Sequence, residues 1–103
     1  MRENKYQADL IKRIKERFPG CQVLKNDPGH QQGMLDLTIL YGEWWAALEV
    51  KASANAQHQP NQDYYVHHLG SMGFASFIYP ENEEEVLDAL QDAFSSRRQS
   101  RVS

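Results

Sequence analysis

A single cysteine, Cys21, stands in a chain of 103 residues. One thiol makes no internal disulfide and is too few for a zinc–thiolate centre, which predicts a reducing, cytoplasmic setting. No run of apolar residues approaches the length that spans a bilayer, so no membrane partner is expected. The first residues are polar and charged and do not resemble a secretory signal. There is no Gly-rich phosphate loop and no nucleophile–histidine arrangement, which counts against a small metabolic enzyme. Positive charge is also short. Eleven Lys and Arg face 14 Asp and Glu, a formal net charge of −3, so the chain does not hold nucleic acid by bulk charge alone.

The length suits one domain, expected over residues 1–94, with a basic tail over 95–103 that shows no apolar periodicity. Charge is spread unevenly. Lys and Arg crowd the first thirty residues, whereas Lys51 is the only one in residues 31–80, against Asp36, Glu43, Glu49 and Asp63. Acids in an otherwise uncharged stretch point to a site.

Periodicity predicts the elements in the order α-β-β-β-α-β-α, an α/β fold with a mixed sheet and flanking helices. Tyr6, Leu10, Ile14 and Phe18 recur every four residues and stop at Pro19-Gly20. Cys21–Leu24 reads as a short strand, and Asp27-Pro28-Gly29 as a turn. Two alternating runs, 35–41 and 44–51, are joined by Gly42-Glu43, the signature of a hairpin with a type II′ turn. Pro60 suits the first turn of a helix that runs toward Gly70. Phe74–Tyr79 reads as a buried strand ended by Pro80. Asn82 caps a last helix whose stripe is Val86, Leu87, Leu90 and Phe94.

The hairpin register carries chemical meaning. With Gly42 and Glu43 in the turn, Tyr41 faces Trp44, Leu37 faces Leu48, and Asp36 faces Glu49. One side, from Leu35 to Val50, is wholly apolar and belongs to the core. The other carries Asp36, Glu49 and, two residues on, Lys51. Carboxylates directly across a ladder repel each other, and in a cleft one of them resists ionising. A hard divalent cation removes that penalty, because Mg²⁺ is held by one or two carboxylates while it keeps water and phosphate ligands. Lys51 beside it is placed to orient a water or to neutralise charge at a phosphate. Against this stands the plain alternative of a salt-bridged pair on a solvated strand face.

Glu3 shares a helical stripe with Gln7, Leu10 and Ile14. It either reaches the sheet as a further acid or sits at the helix start because the dipole favours it there. Lys25 is the best-placed of the basic residues for a phosphate contact. Asn26, Asp27, His30, Gln31 and Gln32 form a polar loop before Asp36 that either touches DNA or is plain surface. His58, His67 and His68 make no ligand set. Trp45 reads as core beneath a helix or as dimer interface, and Tyr64, Tyr65 and Tyr79 read as packing residues. Arg97, Arg98 and Arg101 are either an arm for backbone phosphates or a solubility tail.

Gly33-Met34-Leu35-Asp36, the hairpin and Glu49-Val50-Lys51 resemble the G-x-P-D…E-x-K core of the PD-(D/E)XK nuclease superfamily. Pro60-Asn61-Gln62, Tyr65, Leu69 and Gly73 are similar to the stretch that follows E-x-K in its VRR-NUC group, and the whole resembles the small stand-alone enzymes found in bacteriophages. The resemblance covers about residues 3–90. It implies a restriction-endonuclease-like core and a Mg²⁺- or Mn²⁺-dependent hydrolase of DNA phosphodiesters that leaves a 5′-phosphate and a 3′-hydroxyl. Asp36, Glu49 and the carbonyl of Val50 would hold the metal, Lys51 would be the catalytic lysine, Gln62 would stand beside it, and Glu3 would match the acid of the first helix. Lys25 and Gln32 are the candidate DNA contacts. The resemblance further implies a homodimer acting on branched DNA such as a Holliday junction. Leu35 departs from the family's Pro, on the apolar side of the hairpin. The alternative is a catalytically silent DNA-binding module of the same fold.

Overall fold

The computed structural model describes residues 2–26 and 34–102, with the side chains of the last helix as far as Ser95. The elements follow the expected order: α1 (Glu3–Arg17), β1 (Gln22–Lys25), β2 (Leu37–Tyr41), β3 (Trp44–Val50), α2 (Gln62–Gly70), β4 (Phe74–Ile78) and α3 (Glu83–Val102). The strands form one mixed sheet in the order β1-β2-β3-β4. The first three run antiparallel to their neighbours, and β4 lies parallel to β3. The return from β3 to β4 therefore needs a crossover, and α2 supplies it.

One face of this sheet is the core. Leu37 and Ile39 from β2, Ala46, Leu48 and Val50 from β3, and Ile78 from β4 meet Tyr6, Leu10, Ile14 and Phe18 of α1 and Val86, Leu87, Leu90 and Phe94 of α3. Each of these residues falls on the expected stripe or strand face, and Leu35 is buried with them. The two helices are also tied to each other by charge. Arg13 grips both oxygens of Glu83, Nε to Oε2 at 2.6 Å and an Nη at 2.9 Å to Oε1, while the Tyr6 hydroxyl donates to the same Oε1 at 2.9 Å. Burial alone would raise the Glu83 pKa, but Arg13 and Tyr6 hold it below the ordinary value. Arg17 bridges to Glu84 and Asp88, which lie one turn apart on α3.

The hairpin keeps the expected register, with Tyr41 opposite Trp44 and Leu37 opposite Leu48. Gly42 has φ +63 and no described non-glycine residue, Glu43 included, has a positive φ, as a type II′ turn demands. On the sheet's second face, α2 packs over β3 and β4. A Cβ built on Gly73 would stand 2.7 Å from the Trp45 ring, so the glycine after α2 is what lets that half-buried indole lie against the chain.

Several expectations are corrected. The first strand is Gln22–Lys25, one residue later than read. The second helix starts at Gln62, with Asn61 at its cap position; Pro60 falls in the preceding turn, and Gln62 Oε1 accepts the Gln59 N–H at 2.8 Å. Asn82 precedes α3, but its side chain turns back, accepting the Tyr79 N–H at 2.8 Å and donating to the Phe77 carbonyl. Tyr64 is no packing residue, being 62% exposed. Helix α3 runs to Val102, through the stretch read as a tail from Ser95. That stretch has no Gly or Pro, so a helix nucleated on the apolar stripe propagates through it. The turn at Asp27-Pro28-Gly29, the loop residues His30, Gln31 and Gln32, the motif's Gly33, and the side chains of Arg97, Arg98 and Arg101 lie outside the described residues. No helix among the described residues is long and apolar enough to cross a membrane.

Candidate active site

Asp36 and Glu49 meet at the open end of the hairpin, where the β2–β3 ladder stops. The pairing runs from Tyr41 and Trp44 to Leu37 and Leu48. One step further, the side chains take over from the backbone. The Val50 N–H donates to Asp36 Oδ2 at 2.9 Å, and the Asp36 N–H donates to Glu49 Oε1 at 3.2 Å. Each acid thus binds the other's strand. On the outer side the Asp36 carbonyl still accepts the Asn26 N–H at 2.8 Å, so β1 keeps the bend in place.

A residue in a strand sends its N–H and C=O to the same neighbour. The Val50 N–H points at Asp36, so its carbonyl lies on that side too. Lys51 turns the other way, its N–H bonding the Ile78 carbonyl at 2.9 Å. The Lys51 side chain is 6% exposed, with Nζ donating to the Gln57 carbonyl at 3.2 Å. An ammonium carries three protons, so this contact anchors the amine and leaves it donors to spare. Gln62, the first residue of α2, donates from Nε2 to Glu49 Oε2 at 2.5 Å. Lys51, Gln62 and the two acids thus lie in one region at the end of β3.

The electrostatics are those of a site short of positive charge. Burial raises the Asp36 pKa above the ordinary value, partly offset by the Val50 N–H and by the charges of Lys51 and Lys25. Glu49 goes further, pushed up to about 7 by burial and then by the charge of Asp36. The Asp36 N–H and Lys51 pull it down, while Glu3 adds to the rise. Glu3 itself is exposed on the first turn of α1, and Lys25 is exposed at the end of β1. Both act on the acids through charge, and no hydrogen bond joins either to them among the described residues. Gln32 lies outside the described residues.

The donor set is two carboxylates with a backbone carbonyl on the same side. No group of three or more His, Cys, Asp or Glu side chains converges among the described residues. Two carboxylates with room for water is the pattern of Mg²⁺ or Mn²⁺ rather than of a closed zinc site. Among the described residues each carboxylate oxygen accepts at most one hydrogen bond, which leaves a second lone pair for an ion, so the residues fit a hard divalent cation.

Sequence reasoning missed a further pair beside the acids. His58 Nδ1 lies 2.8 Å from Asp63 Oδ1, and its ring stacks on Phe77 with centroids 4.1 Å apart. Their spacing of five residues across a loop and a helix start carries no periodic signal. No protein-family model matches the chain, and no curated protein or solved structure matches it.

Proposed function

We propose that the chain is a Mg²⁺- or Mn²⁺-dependent, structure-selective DNA endonuclease of the PD-(D/E)XK kind, with the VRR-NUC arrangement and branched DNA such as a Holliday junction as its substrate. The observation that carries this reading is the meeting of the Asp36 and Glu49 carboxylates beside Lys51. Burying two like charges side by side is costly, and the local chain supplies one ammonium against two acids. A hard cation that binds phosphate oxygens is the natural complement.

Asp36, Glu49 and the Val50 carbonyl would hold the ion, which supplies Lewis-acid neutralisation of the charge that builds on phosphate oxygens. Lys51, anchored on Gln57, presents the ammonium that orients the attacking water and balances the same charge. Gln62 fixes the Glu49 carboxylate in one orientation. By its resemblance to the PD-(D/E)XK nucleases, hydrolysis would leave a 5′-phosphate and a 3′-hydroxyl. Leu35 replaces the family's Pro at a buried position and removes no functional group. A homodimer fits the same reading: Leu24 and Leu40 are 49% and 39% exposed on the sheet face opposite the core, where β1 and β2 extend beyond α2.

The test is cleavage of labelled four-way junctions, flaps and single strands in Mg²⁺ or Mn²⁺. The parent is expected to cut, and Asp36→Ala to lose cutting while it still binds. An Asp36→Ala protein that cuts as fast as the parent ends this reading. Binding without cutting by the parent would select the silent DNA-binding module.

A further inference from the structure

We infer that His58, oriented by Asp63, is a DNA-phosphate contact at the edge of the same site; this deepens the nuclease reading and rests on it. The segment between Lys51 and α2 does not wander off as a plain connection. It returns to the site twice, through the Gln57 carbonyl on Lys51 Nζ and through Gln62 on Glu49. His58 sits between those two contacts. Its ring lies nearly flat on Phe77, with 17° between the planes. Phe77 is the direct partner of Glu49 across β3 and β4, and paired residues share a face of the sheet. The imidazole is therefore stacked one strand away from the catalytic carboxylate.

Its orientation is set as well as its place. A carboxylate only accepts, so Nδ1 carries the proton toward Asp63 Oδ1. Nε2 is then the nitrogen left for a ligand, on a side chain that is 35% exposed. With a proton on Nε2 as well, the ring would donate to the carboxylate on one side and to a phosphate oxygen on the other. Such a donor has a task here. The positive charges that act on the acids are Lys51 and Lys25; Lys51 and the proposed ion serve Asp36 and Glu49, and a DNA strand leaving the site past His58 gains from a further donor at its edge. Asp63 is a positioning residue in this scheme, because it acts through His58.

The experiment follows binding of a fluorescein-labelled four-way DNA junction on the Asp36→Ala background, by anisotropy across a salt series, with cleavage measured in the intact protein. Adding His58→Phe keeps a flat ring on Phe77 and removes the donor. It is expected to weaken binding about tenfold and to lower the slope of log affinity against log salt by about one, the loss of one phosphate contact. His58→Arg should recover most of the affinity. In the cleaving protein His58→Phe should raise KM far more than it lowers kcat, and Asp63→Asn, which still accepts from Nδ1, should fall between parent and His58→Phe. A His58→Phe protein with the parent's affinity and salt slope overturns the inference even where the parent cuts DNA. Binding that depends on His58 in a parent that never cuts would remove the nuclease reading and keep the phosphate contact. No binding of the junction by any variant would remove both.

Discussion

Glu49 is the residue whose replacement should make the protein more stable. Folded, its carboxyl is held at about 7 against an ordinary 4.5. Between those values the folded chain keeps a proton that the unfolded chain has released, so stability falls as the pH rises through that window and stays low above it. At about 1.4 kcal/mol for each pH unit, the cost above pH 8 is about 3–4 kcal/mol. Glu49→Gln removes it. The variant also loses something, because the Asp36 N–H and the Gln62 amide both donate to this side chain, and a glutamine accepts at one oxygen only. A lost hydrogen bond offsets about 1 kcal/mol, which leaves a net gain of about 2–3 kcal/mol, or roughly 10–15 °C in Tm for a chain of this size. The assay is urea and thermal unfolding from pH 4 to 9 with a chelator present. The gain should be full above pH 8, shrink through neutrality, and turn into a small loss below pH 4.5. Added Mg²⁺ should stabilise the parent and leave Glu49→Gln unmoved, since only the former keeps both carboxylates of the proposed site, whose occupancy would favour the folded state. Equal stabilities at pH 8.5, or a difference that does not change with pH, would show that the two acids are not in conflict, and the case for a cation between them would go with it.

Two more predictions concern the rest of the molecule. Glu83 has its pKa held down in the folded state, so its stabilisation is complete above the unfolded value and disappears as the pH falls through the folded one; Glu83→Gln should cost about 1–2 kcal/mol at pH 7, a difference that narrows in an unfolding series extended below the ordinary carboxylate range. Leu40→Glu, at the exposed end of β2, should halve the particle mass measured by light scattering, from two chains of 11.9 kDa to one, whereas a parent that already weighs one chain would dispose of the dimer.

The core was readable because burial imposes a period. Leu10 and Ile14 lie on one helical stripe, and Leu37, Leu48 and Val50 on one strand face, since a residue's face follows from its place along its own element. The hairpin added the one long-range relation that local sequence can set. A two-residue turn leaves a single register, and that register brought Asp36 level with Glu49. What the pattern could not contain was the departure from it. Asp36 leaves the ladder and spends its carboxylate on the Val50 N–H, a choice between two acceptors a few ångströms apart that leaves every period unchanged. Residues that act across elements were illegible for the same reason. Glu83 looks like any acid in a first helical turn until Arg13 and Tyr6 arrive from the other end of the chain, and Gly73 looks like a loop residue until Trp45 lies on it.

The two faces of the sheet account for why the site sits where it does. The apolar face is closed by α1 and α3 and tolerates no strained charge. On the other face, α2 covers β3 and β4, which shields Glu49 from water without surrounding it with partners. Lys51 reaches the same region one residue after β3 ends, where the chain turns away. A carboxylate in that position is dry enough to resist ionising, near enough to a second acid to demand a counter-ion, and held by Gln62 at one oxygen and the Asp36 N–H at the other. Moving the pair one step toward the turn would put it at Thr38 and Ala47, inside the intact ladder, where the Val50 and Asp36 amides would be out of reach. The end of the ladder is thus the place on this hairpin where backbone N–H groups are free to hold two acids together, and the strain they hold is what a cation would relieve.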